Sequence, residues 1–137
     1  MSGVHVRVLV AGEHYALAVD QVLEVAELGD IAAVPGSPPH VLGVHNLHGQ
    51  VVPVIALAAR LGLAEGEPQR IVVAEQGEVK AGLAVDAVID VGELPEPSEQ
   101  VESPYLLGAV LLDGTLVGVL DIETVLAPIS SSSEAPG

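Results

Sequence analysis

A chain of 137 residues with a formal charge of -15 and no cysteine has room for one compact domain and not for two ordinary independent ones, and it cannot form a disulfide or thiolate-metal framework. Four basic residues, Arg7, Arg60, Arg70 and Lys80, stand against nineteen acids, which excludes the clustered Lys and Arg that nucleic acid or an anionic lipid surface requires. Half of the residues are apolar and mean hydropathy is +0.55, yet Phe and Trp are absent and only Tyr15 and Tyr105 supply rings. The core must therefore be Val, Leu, Ile and Ala, and its β-branched members favour strands.

From Met1 to Arg7 the chain runs directly into strand-like alternation, so no signal peptide is expected. The longest apolar runs, Val51 to Ala59 and Tyr105 to Leu112, fall far short of the roughly 20 residues a membrane span needs. The expected location is the cytoplasm. Val4 to Val10 with Tyr15 to Val19 predicts a hairpin across Gly12-Glu13, and Pro35 to Pro39 marks a break. Ile55 to Leu63, rich in Ala and Leu and stopped near Gly62, predicts one short helix. Arg70 to Ala74 with Val79 to Val85 predicts a second hairpin, and Pro95 to Pro104 an exposed connection. Leu107 to Leu112 and Thr115 to Leu120 predict a third, across Asp113-Gly114, a pair suited to positive φ. Pro128 to Gly137 lacks the apolar content to offset its ordering entropy and reads as a disordered tail, leaving 1–127 as a single domain.

An internal echo organises these elements. Leu17 to Leu28 returns as Leu83 to Leu94 at an offset of 66, with eight of twelve positions identical. At an offset of 65, Leu42, Gly43, Leu47, Gly49, Val52 and Val54 match Leu107, Gly108, Leu112, Gly114, Val117 and Val119. Arg7 to Ala11 likewise resembles Arg70 to Ala74. Ordered echoes imply two copies of a unit of about 65 residues. Each copy holds about five strands, and so small an antiparallel unit must close to bury its apolar face. The expected fold is mainly β: two similar five-stranded barrels, intertwined, sharing a core and leaving a groove, with one or two short helices.

Val41-Leu42-Gly43-Val44-His45-Asn46-Leu47-His48-Gly49-Gln50-Val51-Val52-Pro53-Val54 resembles the CheW-domain pattern V-L-G-V-x-N-L-R-G-x-V-V-P-V. Val22-Leu23-Glu24-Val25 is similar to the family's upstream V-x-E-[IV] element, and Tyr105 to Gly108 and Val119 to Leu126 to its closing elements. The resemblance runs from Val6 to Leu126. It implies SH3-like barrels and a non-catalytic adaptor in chemotaxis, whose partners are the regulatory domain of a CheA-type histidine kinase and the helical tip of a chemoreceptor. Two positions depart from the pattern: His48 replaces the family Arg, and Ala56 the Asp two residues after Pro-Val. These departures leave open an alternative, a CheW-like scaffold for a different partner in a motility or polar-localisation complex.

His40, His45 and His48 cluster in the sequence as candidate metal ligands, but in a strand His45 and His48 would point to opposite faces, so no metal and no cofactor is expected. Asp20 and Asp86 occupy equivalent places, which duplication explains better than acid-base chemistry. Phosphate-loop, dinucleotide and nucleophile-elbow patterns are absent, so no enzyme is expected. Asn46 and Gly49 are expected to shape a turn with His48 at its tip. Val22 and Glu24 share a face, which suits a partner rim, while Val25 reads as core. The residues expected to meet a partner are Val22, Glu24, Asn46, His48 and Val88.

Overall fold

The computed structural model describes residues 3–36, 40–64 and 66–127; the tail read as disordered lies outside them. Among these residues ten strands form in chain order: β1 (Gly3–Val10), β2 (Glu13–Ala18), β3 (Val22–Glu27), β4 (Val41–Leu47), β5 (Gln50–Ala56), β6 (Arg70–Gln76), β7 (Val79–Val85), β8 (Ala87–Leu94), β9 (Leu106–Leu112) and β10 (Thr115–Leu120). A single helical turn follows β5, α1 (Leu57–Arg60), and another follows β10, α2 (Ile122–Val125). The strands assemble into two five-stranded sheets, ordered β8-β1-β2-β10-β9 and β3-β6-β7-β5-β4. This is the mainly β, two-sheet architecture that the sequence predicts.

Neither sheet is one copy of the repeat. The first joins β1 and β2 from the N-terminal copy to β8, β9 and β10 from the C-terminal copy; the second joins β3, β4 and β5 to β6 and β7. The seam in each sheet is a parallel pair, β10 beside β2 with Val119 opposite Ala16, and β5 beside β7 with Val54 opposite Gly82. Those positions are themselves related by the repeat, so the duplication persists in the register. Parallel neighbours require long crossovers: β2 reaches β10 by way of the whole second sheet, whereas β5 reaches β7 through α1 and β6 within its own sheet.

The hairpins follow local turn chemistry. Ala11-Gly12 has φ of 50° and 81°, His48-Gly49 48° and 87°, and Asp113-Gly114 48° and 82°, the two consecutive positive values of a turn that matches strand twist. The helix is shorter than the Ala and Leu content predicts. Ile55 and Ala56 stay in β5, opposite Leu83 and Ala84 of β7, because pairing with a neighbour and complete burial of Ile55 outweigh the small differences in helix propensity. Gly62, with φ of 74°, ends the turn as expected. At α2, Asp121 Oδ1 accepts the Thr124 backbone N–H at 3.3 Å and Oδ2 accepts the Thr124 hydroxyl at 3.0 Å. The matching position before α1 is Ala56, which has no side-chain cap.

Among the described residues three apolar clusters hold the fold. The largest lies between the sheets and takes Val6, Val8 and Leu17 from one with Ile55, Val72 and Leu83 from the other, closed by Ile122 and Val125. Each sheet also curls over a private cluster, Leu47, Val52, Val54 and Ile71 in one and Leu94, Val110, Val117 and Val119 in the other. The Pro95 to Pro104 connection is exposed apart from Val101 and Ser103, and Glu99 bridges Ala109. The equivalent bridge, Ala32 to Val44, leaves no identity in the sequence.

Candidate functional site

Strand β3 is the end strand of its sheet and pairs with β6 alone. Its inward side chains are Val22, packed on the core between the sheets, and Ala26, packed on the private core. Strand geometry then turns Leu23 and Val25 outward, at 43% and 47% exposure. Val25 is therefore a surface residue, correcting its reading as core: the inner side of β3 was already filled by its even-numbered neighbours. The repeat places a second apolar pair on β8, Ile89 and Val91, at 37% and 59% exposure.

Glu24 points inward at the sheet margin, where the β4–β5 hairpin supplies its partners. His48 Nε2 lies 3.0 Å from Oε1 and His45 Nε2 lies 3.4 Å from Oε2. The two imidazoles thus meet on one carboxylate instead of pointing to opposite faces. The strand ends at Leu47, and His48 sits in the turn with φ of 48°, so pleat alternation does not govern it. A carboxylate only accepts, so each Nε2 carries the proton and donates. In His45, nine-tenths buried, the other ring nitrogen, Nδ1, has no hydrogen-bond partner. His48 is 82% exposed at its side chain. Among the described residues no three His, Asp or Glu side chains are grouped to hold a metal ion.

Asn46 shapes the turn as expected: its Oδ1 accepts the Gly49 N–H at 2.8 Å. Glu24, Asn46 and His48 therefore share one corner, with Val22 two residues along the same strand. Val88 lies on β8 in the other sheet, half-buried against the core between the sheets. Val22 packs on that same core, so both valines serve packing as well as surface. Asp86 Oδ2 accepts the Ala11 backbone N–H at 3.0 Å, across two turns from different copies. Missed by sequence reasoning were Leu23, Val25, Ile89 and Val91. Their signal was available, since Leu23 matches Ile89 and Val25 matches Val91 in the echo, but only the sheet order shows that these positions face out.

The chain matches the family model described as "CheW-like domain" over residues 5–129. It is 32% identical over 139 residues to "Chemotaxis protein CheW" of Bacillus subtilis (strain 168), covering 93% of this chain and 89% of that one. It is 34% identical over 123 residues to the protein of the same name in Thermotoga maritima, covering 84% and 82%. Among solved structures, the scaffolding protein TtCheW from Thermoanaerobacter tengcongensis superimposes with a TM-score of 0.82 at 29% identity, covering 92% of this chain and 88% of that one.

Proposed function

The chain belongs to the CheW-like domain family and is a chemotaxis coupling adaptor; from that premise we propose that it joins the helical tip of a chemoreceptor to the regulatory domain of a CheA-type histidine kinase by contact alone. The observation that carries this reading is the corner at Glu24. An acid held by two histidines stands beside outward apolar side chains, Leu23 and Val25, on an end strand. An amphipathic helix docks through apolar burial with a polar rim, and this corner offers both. The rim comprises Val22, Glu24, Asn46 and His48, with Val88 on the second sheet as the equivalent of Val22. Two separate faces on two sheets suit a bivalent bridge. No bond is made or broken, and no cofactor takes part.

Among the described residues no helix is long and apolar enough to cross a membrane. Placement in the cytoplasm, at receptor arrays beneath the inner membrane, follows from the adaptor reading. The departures that motivated a different partner lose weight as motives. His48 still reaches Glu24, and Ala56 marks an uncapped helix start away from this corner.

The test is capture by immobilised receptor tip and, separately, by the kinase regulatory domain. The wild-type chain is retained by both. Val25→Ser and His48→Ala each weaken retention by receptor about tenfold while the unfolding midpoint stays within about 2 °C of wild type. Loss of neither partner in these variants moves the rim elsewhere; failure of the wild-type chain to bind either partner overturns the adaptor reading.

A further inference from the structure

A cavity beside α1 is built from places where the two copies differ. At an offset of 65, Ala56 matches Asp121, Ala58 matches Glu123 and Ala59 matches Thr124. At α2 the polar side chains of this set bond to each other, Asp121 accepting both the backbone N–H and the hydroxyl of Thr124. At α1 alanine stands in all three places. Side chains stop short there, and a cavity of about 210 Å³ opens between α1, Leu42, Leu63 and Ala84.

One charged side chain lines this apolar space, Asp86 between β7 and β8. Its Oδ2 is held by the Ala11 N–H at 3.0 Å, and among the described residues Oδ1 has no hydrogen-bond or ion-pair partner. The chain's four cations are engaged elsewhere. Arg7 pairs with Asp90, Arg70 with Glu27 and Lys80 with Glu75. Arg60, although on α1, turns to α2 and donates to the Val125 and Thr124 carbonyls and to the Tyr105 hydroxyl. Gly66 borders the carboxylate so closely that a Cβ there would stand 2.7 Å from Oδ1 and 2.8 Å from Oδ2. The loop before β6 therefore closes beside Asp86 only because position 66 carries no side chain.

We propose that this cavity binds a short aliphatic amine in its protonated form, with the alkyl chain against the alanine and leucine walls and the ammonium on Asp86 Oδ1. Size, charge and polarity each narrow the class. With a water occupying about 30 Å³ of liquid, 210 Å³ holds roughly seven such small groups. A drug-sized ligand, which takes about 300 Å³ or more, is too large. The chain's charge of -15 draws cations and repels carboxylates. A hard metal ion needs several oxygen ligands, and this wall offers a single carboxylate. An alkylammonium, like a lysine side chain, keeps its proton at neutral pH, buries its chain and gives the carboxylate a charge-assisted hydrogen bond. This site stands whether or not the chain bridges receptor and kinase.

The test is titration of the isotope-labelled full chain at neutral pH with n-pentylamine, pentanoate, pentanol and N-acetyl-lysine methylamide. n-Pentylamine shifts the amides of Leu42, Ala56 to Ala59, Gly66 and Asp86 with half-saturation at about 1 mM or below, and the other three bind at least about tenfold more weakly. Ala59→Leu, at an exposed position of α1, fills the cavity, weakens n-pentylamine at least about tenfold and leaves the melting point unchanged. Asp86→Asn removes the charge and weakens it about tenfold as well. Because Asp86 also holds the Ala11 turn, Ala59→Leu decides the matter should that variant melt early. Equal binding of pentanoate or pentanol, binding of the lysine derivative as tight as that of n-pentylamine, which would seat a partner's lysine here instead, or full affinity in Ala59→Leu overturns the proposal. So does the absence of saturation by n-pentylamine up to about 10 mM.

Discussion

The β4–β5 and β9–β10 hairpins are the same hairpin twice. Each has a two-residue turn of positive φ and each lies at the end of a five-stranded sheet. Each fills a private core from equivalent positions, Val52 and Val54 in one and Val117 and Val119 in the other. Their outer residues differ most around the turn. The first hairpin sends His45 and His48 to Glu24. In the second, the acid equivalent to Glu24 is Asp90, which Arg7 of β1 answers at 3.0 Å, and the hairpin carries Leu111 and Leu116 instead. Side chains facing the core are bound by packing, where a lost methyl group is felt at once; side chains facing out are free to diverge. Duplication has thus supplied one scaffold with two unlike faces.

The largest effect should come from the shared half of this comparison. Val52→Ala and Val117→Ala remove equivalent, fully buried side chains, and each is expected to lower unfolding free energy by about 2 kcal/mol in denaturant titration. Costs that differ several-fold would break the equivalence of the two cores. Next comes the cap present in one copy alone. Asp121→Ala should cost about 1 kcal/mol, and Ala56→Asp should add at most that, both read from thermal melts; no gain at Ala56 would mean that β5 pairing governs the start of α1. The smallest effect concerns the divergent half. A double-mutant cycle on Glu24 and His48 should return a coupling of about 0.5 kcal/mol near neutral pH, since His48 is mostly in solvent. With His48→Arg in the cycle, the permanent charge and forked donors of Arg should give a coupling at least as large.

The hairpins were legible because a turn is a local matter: Gly12, Gly49 and Gly114 punctuate runs of β-branched residues, and the echo between copies set their order. The corner at Glu24 was legible in part. Glu24, Asn46 and His48 do share it, but His48 joins His45 on the same carboxylate because β4 ends at Leu47 and strand alternation does not carry into the turn. Val25 reads as core because an apolar residue in a strand usually faces inward, and nothing local reveals that β3 is an end strand. Ile55 and Ala56 read as helix because their partners on β7 lie almost thirty residues away.

By itself the amino-acid sequence determined that this is a β protein built from a doubled unit, that its core is aliphatic, and that it repels polyanions. These follow from composition, spacing and identity between copies, all of which a linear chain displays. Tertiary structure alone decided that each sheet draws strands from both copies, that Leu23 and Val25 face out, and that one carboxylate gathers two histidines. Those outcomes depend on which distant strands pair, and strand pairing is settled by the free energy of the whole core, a quantity that no local window contains.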